Sequence, residues 1–519
     1  MKLHYKHLTM LLLALMLLLV ACPQNVDMGD GDDNDNSNGT TTDNAFDYSK
    51  ARPELSEKAT KRAKKLDKLF DNTKLGEATL MVTQDQWDEM NTNINISKYN
   101  AYVKSKFSYT KDGESYNMDE VGLRVRGNST KRSPGTSPNY DQASFRVKFT
   151  EYHDEDDSPE NKEMYHMEGS AKGINFKYMV SDKSYVQEIY SYDLFHRFGC
   201  WTAPRASYSK MYIKVGDTEK AYFGVYKAIE QINKQYIKAR VGENAFSDDT
   251  GNLWKCLYQG TGPADLKNEN LDGRIDEERW QPDAVNSWEK YFTPTYTLKT
   301  NDDTPEGKSA AETQLRTFIS DLNSKTGSEF ESWIATAFDV DGFLKTLAVN
   351  VAVGMWDDYW SNYNNYYLYF DGSGKCFFIP YDYDNCMGVD WGDQMSNPAT
   401  KDPLKWGDHN DESNTPLVSK ILAISKYKEQ YKKYLKELID PNKAYFDATK
   451  SKSRINGWYD LIRTAADKLT YDASYMCPKD GIDDWSISEG KPTADWSFLS
   501  DSNNYFVERT KTFKSALGM

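Results

Sequence analysis

The stretch "GMWDDYWSNYNNYYLYFDGSGKCFFIPYDYDNCMG", at residues 354–388, combines acids and amides with two aromatic, strand-like segments. Asn362 follows Asp357 by five positions, and the segments "NYYLYF" and "KCFFIP" come next, joined by Asp-Gly-Ser-Gly. Asp382 and Asp384 stand just after the second segment. This pattern predicts a β-hairpin with acidic side chains at its ends. From the residues alone it is either a surface hairpin with polar turns or a site for metal and phosphate.

The regions on either side of this hairpin differ in their apolar periodicity. Residues 75–240 alternate mainly as strands do and contain one amphipathic helix. Beyond residue 305 the spacing is that of helices, which we predict at 308–325, 328–338, 340–353, 416–438 and 443–470. We therefore predict an α+β protein of two lobes, with a strand-rich N-terminal lobe at 75–240. Its helical C-terminal lobe would span 241–519 and carry the hairpin at 354–390.

The first 74 residues predict export and tethering. Residues 1–22 contain Lys and His, then a short apolar run and the ending Leu-Val-Ala-Cys, which is typical of a signal peptide. The ending resembles the lipobox of bacterial lipoproteins, so we expect Cys22 to carry lipids; in an ordinary secretory signal it would be incidental. Residues 23–50 predict an acidic flexible tether, and residues 51–74 a short charged helix. We expect secretion across the inner membrane and a lipid anchor in the cell envelope, at the outer membrane or the cell surface.

Composition and motifs exclude several classes of protein. The 519-residue chain has a formal net charge of −15, which disfavours nonspecific binding to nucleic acid. It has six histidines and no complete G-x-S-x-G, H-E-x-x-H or P-loop motif, so a histidine-dependent hydrolase or a zinc enzyme is poorly supported. A glycosidase that uses two carboxylates stays open. The cysteines after residue 22 are scattered, and we expect them to be buried free thiols.

A second polar segment, "NENLDGRIDEER", resembles a calcium-binding loop. Asn268, Asn270, Asp272 and Asp276 occupy positions 1, 3, 5 and 9 of an EF-hand-like loop. Position 12, where a bidentate glutamate belongs, is Arg279. The segment is therefore either a Ca²⁺ loop or a polar turn around Asp-Gly.

The hairpin stretch also has the order of groups that phosphoryl transfer requires. That chemistry needs a cation on the phosphates, hard oxygen ligands for magnesium and a carboxylate to orient the attacking hydroxyl. Asp357, Asn362, the hairpin and Asp382 follow one another as do the catalytic loop and the metal-binding aspartate of protein kinases. Taken alone this spacing is a weak signal, because Asp and Asn are common.

Several further segments occur in an order that is specific to one family. They are "LRVRGNST", "SFRVKF", "NFKYMVSDKSYVQEIYSYDLFHRFG", "APRASYSKMYIKVGDTEKAYFGVYKAIEQI", "GNLWKC", "YTLKTN", "NVAVGMWDDYWSNYNNYYLY" and "FFIPYDYDNCMG". Over residues 75–440 the chain resembles the spore-coat protein H (CotH) kinase family. The resemblance implies an atypical protein-kinase-like two-lobed fold, ATP with Mg²⁺ or Mn²⁺, and phosphate transfer to Ser or Thr of proteins, the chain itself included.

The resemblance also implies roles for the acids and amides of the hairpin stretch. Asp357 would be the catalytic acid, with its neighbour Asp358 as the alternative. The implied metal ligands are one amide and two carboxylates, with two nearby asparagines as rivals of the amide. In chain order, ligands and rivals are Asn362, Asn364, Asn365, Asp382 and Asp384.

The implied nucleotide-binding residues lie in the strand-rich half. Lys148 would meet the phosphates and assist catalysis, with Arg126 or Arg146 sharing that role. Glu188 would pair with Lys148, and Glu230 would close a strand where the chain passes between lobes. The segment "RGNSTKRSPGTSPNYDQ" would cover the phosphates in place of a glycine-rich loop.

Besides a carbohydrate-associated enzyme that uses two carboxylates, the sequence favours two functions of different classes. The first is a lipid-anchored atypical protein kinase with a protein substrate. The second is a non-catalytic surface adhesion or scaffold protein that keeps a kinase-like fold and binds a surface partner. The rich supply of Tyr and Trp, 36 and 13 residues, suits the second function.

Overall fold

A computed structural model of the chain describes its globular part with some gaps. The described residues are 45–94, 101–127, 131–136, 139–152, 171–179, 182, 184–276, 279–283, 288–388, 397–409, 412–413, 415–467, 485–486, 496–499 and 503–519. Residues 42–519 form one compact unit. The predicted signal peptide, Cys22 and most of the predicted tether lie outside the described residues. Among the helices that are described, none is long and apolar enough to cross a membrane.

Helices and strands alternate in the first half of the described chain, and helices dominate the second. The described strands are β1 Gly76–Val82, β2 Val103–Lys111, β3 Glu114–Arg126, β4 Gly135–Thr136, β5 Asn139–Tyr140, β6 Ser144–Lys148, β7 Gly173–Lys177, β8 Ala206–Val215, β9 Ala221–Glu230, β10 Asn252–Cys256, β11 Arg279–Asp283, β12 Trp288–Phe292, β13 Tyr296–Leu298, β14 Tyr366–Phe370, β15 Cys376–Pro380, β16 Asp408–His409, β17 Glu412–Ser413, β18 Trp485–Ser486 and β19 Trp496–Ser497. The described α-helices are α1 Glu57–Leu69, α2 Gln84–Ile94, α3 Gln187–Arg197, α4 Lys234–Lys238, α5 Pro305–Ser324, α6 Gly327–Ala337, α7 Val340–Val353, α8 Tyr359–Asn362, α9 Pro416–Ala423, α10 Ser425–Leu438, α11 Ala448–Asp467 and α12 Tyr505–Leu517. This mixed content confirms the α+β class.

Seven strands close into a barrel in the order β1-β2-β3-β6-β7-β9-β8. Only the β1–β8 pair is parallel among these contacts, and it completes the ring between strands distant in sequence. Phe107, Phe145, Phe149 and Phe176 are fully buried in the core of this barrel. Closure removes the exposed strand edges that an open sheet would present. The sequence predicted a strand-rich lobe, but not its closure into a barrel.

A second sheet, in the order β13-β10-β14-β15, contains the predicted hairpin. Its strands β14 and β15 are antiparallel with Tyr366 opposite Pro380 and Phe370 opposite Cys376, which confirms the hairpin. Every residue of both strands is buried, because Phe378 packs in the helical core on one face and Phe377 in a smaller aromatic cluster on the other. A strand covered on both faces has no polar face, which explains the run of consecutive aromatic residues.

The helical half follows the predicted periodicity with two differences. The helix predicted at 443–470 begins only at Ala448, as α11. The helix predicted at 340–353 has the same bounds in the structure, and it is buried along almost its whole length. The helix predicted at 416–438 is instead two helices, α9 and α10, because Ile424 has an extended backbone between them. Apolar periodicity continues across such a one-residue break, so the sequence pattern does not reveal it. Four cysteines confirm the expectation of buried free thiols, and they are Cys200, Cys256, Cys376 and Cys386.

Candidate functional site

A basic cleft separates one side of the barrel from the second sheet. It encloses about 170 Å³ and is lined by β3, β6 and β7 on one wall and by β10, β14 and the segment after β15 on the other. Among the described residues that line it, five are cationic: Arg124, Arg126, Arg146, Lys255 and Lys299. Asp382 is the one acidic residue in this described lining. This charge distribution favours a ligand with several negative charges, such as a polyphosphate.

Lys177, the last residue of β7, lies where the cleft meets Asp382 and is almost fully buried. Its Nζ is 2.9 Å from Glu188 Oε1, 2.5 Å from Asp382 Oδ1 and 3.1 Å from Asp384 Oδ2. A second lysine, Lys227 on β9, places its Nζ 2.8 Å from Glu188 Oε2. Burial by itself would lower the pKa of Lys177, but the three carboxylates hold that pKa well above its usual value. Lys177 is therefore a permanent cation that ties α3 to the end of the hairpin.

The two aspartates that share Lys177 differ in their affinity for protons. Burial acts to raise the pKa of Asp382, but Lys177 and Arg126 overcome it and lower that pKa to about 2. Burial raises the pKa of Asp384 to about 6 despite Lys177, and the charge of Asp382 adds to the increase. Asp382 is therefore ionised at neutral pH, as a carboxylate that receives a metal ion must be.

Asp357 lies at the centre of a group of carboxamides. Its Oδ1 accepts hydrogen bonds from Nδ2 of Asn362 at 2.6 Å and of Asn364 at 2.8 Å, and its Oδ2 from Nδ2 of Asn365 at 2.9 Å and of Asn385 at 3.3 Å. Burial raises the pKa of Asp357, while hydrogen bonds from Asn364 and Asn362 oppose the rise. The amides orient the Asp357 carboxylate. Because Asn364 Oδ1 already accepts from the backbone N–H of Tyr258, the amide oxygen of Asn362 is a better candidate for a metal than that of Asn364.

Asp358 differs from Asp357 in that its carboxylate caps a helix. It is the N-cap of α8, its Oδ1 accepts from the N–H of Ser361 at 2.7 Å, and its Oδ2 accepts from Asn350 Nδ2 at 2.5 Å. Only 4% of Asp358 is exposed, and it faces these backbone and amide donors. Of the two neighbouring acids, Asp357 is therefore the one placed among the site's side chains.

The backbone around these acids is held in unusual conformations. Tyr363, Asn365 and Asp382 are non-glycine residues with φ of 54°, 55° and 64°. Left-handed backbone is unfavourable for such residues, and it concentrates at functional sites where packing enforces it. The backbone N–H of Asp382 donates to Tyr192 Oη at 3.1 Å, which helps to hold that residue in place.

The C-terminal helix fixes the end of α7, from which the acidic turn departs. Arg509 on α12 is fully buried, and its Nε donates to the carbonyl of Val351 at 2.8 Å. Tyr505 donates from its hydroxyl to the carbonyl of Ala352 at 3.1 Å. Gly354 then ends α7 with φ of 69°, and a Cβ at this position would collide with the Tyr505 hydroxyl. The turn that carries Asp357 thus depends on α12 and on a glycine.

The expected pairing of Lys148 with Glu188 is wrong. Lys148 is half-exposed, lies 2.5 Å from Glu151 and sits over the ring of Tyr102 at 5.7 Å. Lys148 pairs in register with Gly173, whereas Lys177 is at the opposite end of β7. Four residues of strand separate these positions by about 13 Å. A sequence signal for Lys177 does exist, because it is a lysine that ends a fully buried apolar strand before the helix carrying Glu188.

Two other predicted nucleotide-binding residues lie in different surroundings. Arg126 lines the cleft and donates to Tyr381 Oη at 2.8 Å, beside Arg146. Glu230 is buried elsewhere, 3.1 Å from Arg205 and 2.7 Å from Arg240, and the residue after it, Gln231, lines the cleft instead. A nucleotide-binding role of Glu230 stays a prediction that these contacts do not support.

The segment expected to cover the phosphates is described only in part, since 128–130 and 137–138 lie outside the described residues. Within the described part, the carbonyl of Gly135 accepts from Trp87 Nε1 on α2 at 2.8 Å. Gly127 lines the cleft. The covering role therefore stays a prediction for this segment.

The predicted calcium loop contains a buried cation. Arg274, at position 7, places its guanidinium 2.7 Å from Asp265 and donates to the carbonyl of Glu269. Asp272 is turned outward and lies 2.9 Å from Arg316. These contacts favour the polar turn over a Ca²⁺ site at Asn268, Asn270, Asp272 and Asp276, and calcium binding there stays an untested prediction.

The chemistry of the hairpin donors fits a hard divalent cation. In the part of the chain that the structure describes, no three His, Cys, Asp or Glu side chains form a metal site by themselves. Mg²⁺ commonly uses one or two carboxylates together with substrate phosphates and water. Asp382, Asp384 and the Asn362 amide supply such oxygens beside the basic cleft.

Comparisons with known proteins identify the family. A search of the curated proteins finds no match to this chain. A family model described as CotH kinase protein matches residues 123–481, which is more than half of the 519 residues. The match includes the strands that line the cleft, the Glu188 helix and the acidic hairpin. The chain belongs to the CotH kinase protein family.

Proposed function

We propose that the protein is an extracytoplasmic, lipid-anchored atypical protein kinase that transfers the γ-phosphate of ATP to Ser or Thr of proteins, possible acceptors including itself. The observation that carries this proposal is the contact of Lys177 with Glu188, Asp382 and Asp384 beside a cleft of cationic side chains. A lysine paired with a helix glutamate, next to a metal-binding aspartate, is the arrangement with which protein kinases hold ATP. The two-lobed kinase-like arrangement is part of the same proposal, with the barrel and the helical half as its lobes. The anchor at Cys22 is supported by the Leu-x-Ala-Cys ending.

Each group in the site has a role in this proposal. Asp357 orients the acceptor hydroxyl and receives its proton, and its surrounding amides fix the direction of the carboxylate. Lys177 and Arg126 bind phosphate oxygens. Asp382 and Asn362 hold Mg²⁺ or Mn²⁺, with Asp384 as a further ligand or a support. The metal, when bound, neutralises phosphate charge.

One observation favours the alternative of a non-catalytic adhesion or scaffold protein. Three cations, Lys177, Lys227 and Arg126, act on the three carboxylates of Glu188, Asp382 and Asp384, so the protein's own charges balance the site without a metal. A protein that only keeps a kinase-like fold for binding a surface partner would retain such an internal ion cluster. The two functions differ in whether phosphate is transferred.

A labelling experiment separates the two functions. Residues 42–519, which form one compact unit, are incubated with Mg²⁺ or Mn²⁺ and ATP labelled in its γ-phosphate. We expect the wild type to incorporate label into itself or an added protein, and Asp382→Ala to incorporate none. Circular dichroism of the variant checks that it is folded. Equal labelling of both proteins, or no labelling of the wild type with either metal, would contradict the kinase. Binding of a surface partner that survives Asp382→Ala would favour the scaffold.

A second pair of variants tests which aspartate acts. We expect Asp357→Ala to lower the initial rate of phosphate transfer by about 10²-fold or more, because it removes the group that receives the hydroxyl proton. Asp358→Ala is expected to lower the free energy of unfolding by about 1–3 kcal/mol, because Asn350 and the N–H of Ser361 lose their acceptor. Its initial rate, measured well below its unfolding temperature, should stay near that of the wild type. The reverse pattern of rates would assign the catalytic role to Asp358.

A further inference from the structure

The helix α1 presents a row of cations on its solvent side. Ala59, Ala63, Leu66 and Leu69 are buried on its inner side. The remaining positions are mainly basic, and the exposed lysines are Lys58, Lys61, Lys64, Lys65 and Lys68. The buried apolar residues on the inner side attach such a helix to the rest of the fold, and its basic side stays in contact with solvent.

A second short helix extends this basic row. Arg62 on α1 lies 2.9 Å from Gln235 on α4, which brings the two helices side by side. Lys234 and Lys238 are spaced by four on α4 and therefore lie on one side of it. We call the surface formed by Lys58, Arg62, Lys172, Lys234 and Lys238 the α1–α4 basic surface.

The cations of this surface are close enough to repel one another. Burial and then the charge of Lys234 lower the pKa of Lys238, with Arg62 and Lys58 adding to the effect and Asp249 opposing it. Burial lowers the pKa of Lys172 to about 8, and the charges of Lys238, Lys148 and Lys234 contribute, while Asp303 opposes them.

Among the described residues, two acids act on the α1–α4 basic surface. Asp249 lies 3.8 Å from Lys238 and also acts on Arg62, and Asp303 acts on Lys172. A concentration of positive charge is unexpected in a chain whose formal net charge is −15. It raises the energy of the folded protein through self-repulsion, which a negatively charged partner would relieve.

We propose that the α1–α4 basic surface docks on the anionic headgroups of a phospholipid bilayer. Because five cations are clustered here, a complementary partner carries negative charge. A bilayer is favoured because α1 begins at residue 57, soon after the segment that leads from the proposed lipid-bearing Cys22. A single lipid attachment gives marginal membrane binding, and a basic surface supplies a second signal. This inference extends the proposed anchor and does not depend on phosphate transfer.

The test uses residues 42–519, which lack Cys22, so that membrane binding is measured without a lipid anchor. Sedimentation with vesicles of phosphatidylcholine, with and without phosphatidylglycerol, measures the partition coefficient at low and at physiological ionic strength. We expect binding only to the anionic vesicles, and weaker binding as salt rises. The double variant K58Q/K234Q should partition about 10- to 30-fold more weakly, because each lysine near an anionic bilayer contributes several-fold.

A matched variant controls for net charge. K428Q/K433Q removes two exposed lysines from α10, and it should partition within about twofold of the wild type if one surface docks. Equal loss in both double variants, or no preference for anionic vesicles, would overturn the proposal. Stronger binding to polyglutamate than to vesicles, lost in K58Q/K234Q, would overturn it in favour of an acidic protein partner.

Discussion

Replacing Lys177 with methionine is expected to slow phosphate transfer strongly and to lower the free energy of unfolding by about 3–5 kcal/mol. The stability loss arises because Glu188, Asp382 and Asp384 would share a buried pocket without the cation that contacts all three. Lys227 reaches Glu188, but no corresponding contact joins it to the two aspartates among the described residues. Transfer would fall by about 10²-fold or more, since a fixed charge on the phosphates is removed. Urea denaturation and γ-phosphate labelling at a temperature where the variant is folded measure the two effects.

Lys148→Met is the matched control for Lys177→Met. It removes the same functional group from a half-exposed position, where the partner is Glu151. A partly exposed ion pair of this kind contributes about 0–1 kcal/mol, so the variant should unfold close to the wild type and transfer phosphate at a similar rate. Loss of transfer in Lys148→Met with retention in Lys177→Met would show that the phosphate-binding lysine is the one implied by the sequence resemblance.

Glu230→Gln is expected to lower the free energy of unfolding by about 3–5 kcal/mol at neutral pH. Glu230 is buried between Arg205 and Arg240. Arg205 also forms a salt bridge with Asp67 on α1 at 2.7 Å. The neutral amide would leave two buried guanidinium groups with one carboxylate, that of Asp67. Urea denaturation measures the difference, and a change below about 1 kcal/mol would contradict the importance of this ion cluster.

The same variant has a predicted pH dependence. Burial acts to raise the pKa of Glu230, but Arg240 and Arg205 lower it from 4.5 to about 2. Because the folded-state pKa is depressed, the stabilisation is complete above the unfolded pKa and is lost as pH falls through the folded pKa. The difference between wild type and Glu230→Gln should therefore shrink by about 3 kcal/mol between pH values of about 6 and 2. Glu77→Gln, at a partly exposed position near Lys210, should show little of this dependence.

Local features of the fold could be predicted, and long-range pairing could not. The hairpin at β14 and β15 and the helix α7 follow from apolar runs and helical spacing within a few turns of chain. Barrel closure depends on β1 pairing with β8, more than a hundred residues later, and a single sequence contains no signal for that register. The break at Ile424 depends on the backbone of one residue.

In the candidate site, too, local features could be predicted and long-range ones could not. Asp357, Asn362, Asp382 and Asp384 were predicted from one continuous stretch, and the structure brings them near one another. Lys177 was missed because its role depends on which end of β7 meets the hairpin. The alternation of a strand identifies which face a lysine occupies, but not which end of that strand lies at the cleft.

The dependence of the acidic turn on α12 has a consequence for biosynthesis. Arg509 and Tyr505 bind carbonyls at the end of α7, more than 150 positions earlier in the chain. Chains emerge from the ribosome, and from an export channel, with their N-terminal part first. A chain that has not yet been synthesised as far as α12 lacks these two donors, so the end of α7 and the acidic turn after it are held less firmly. We therefore expect the acidic turn to reach its final geometry only after α12 has been synthesised.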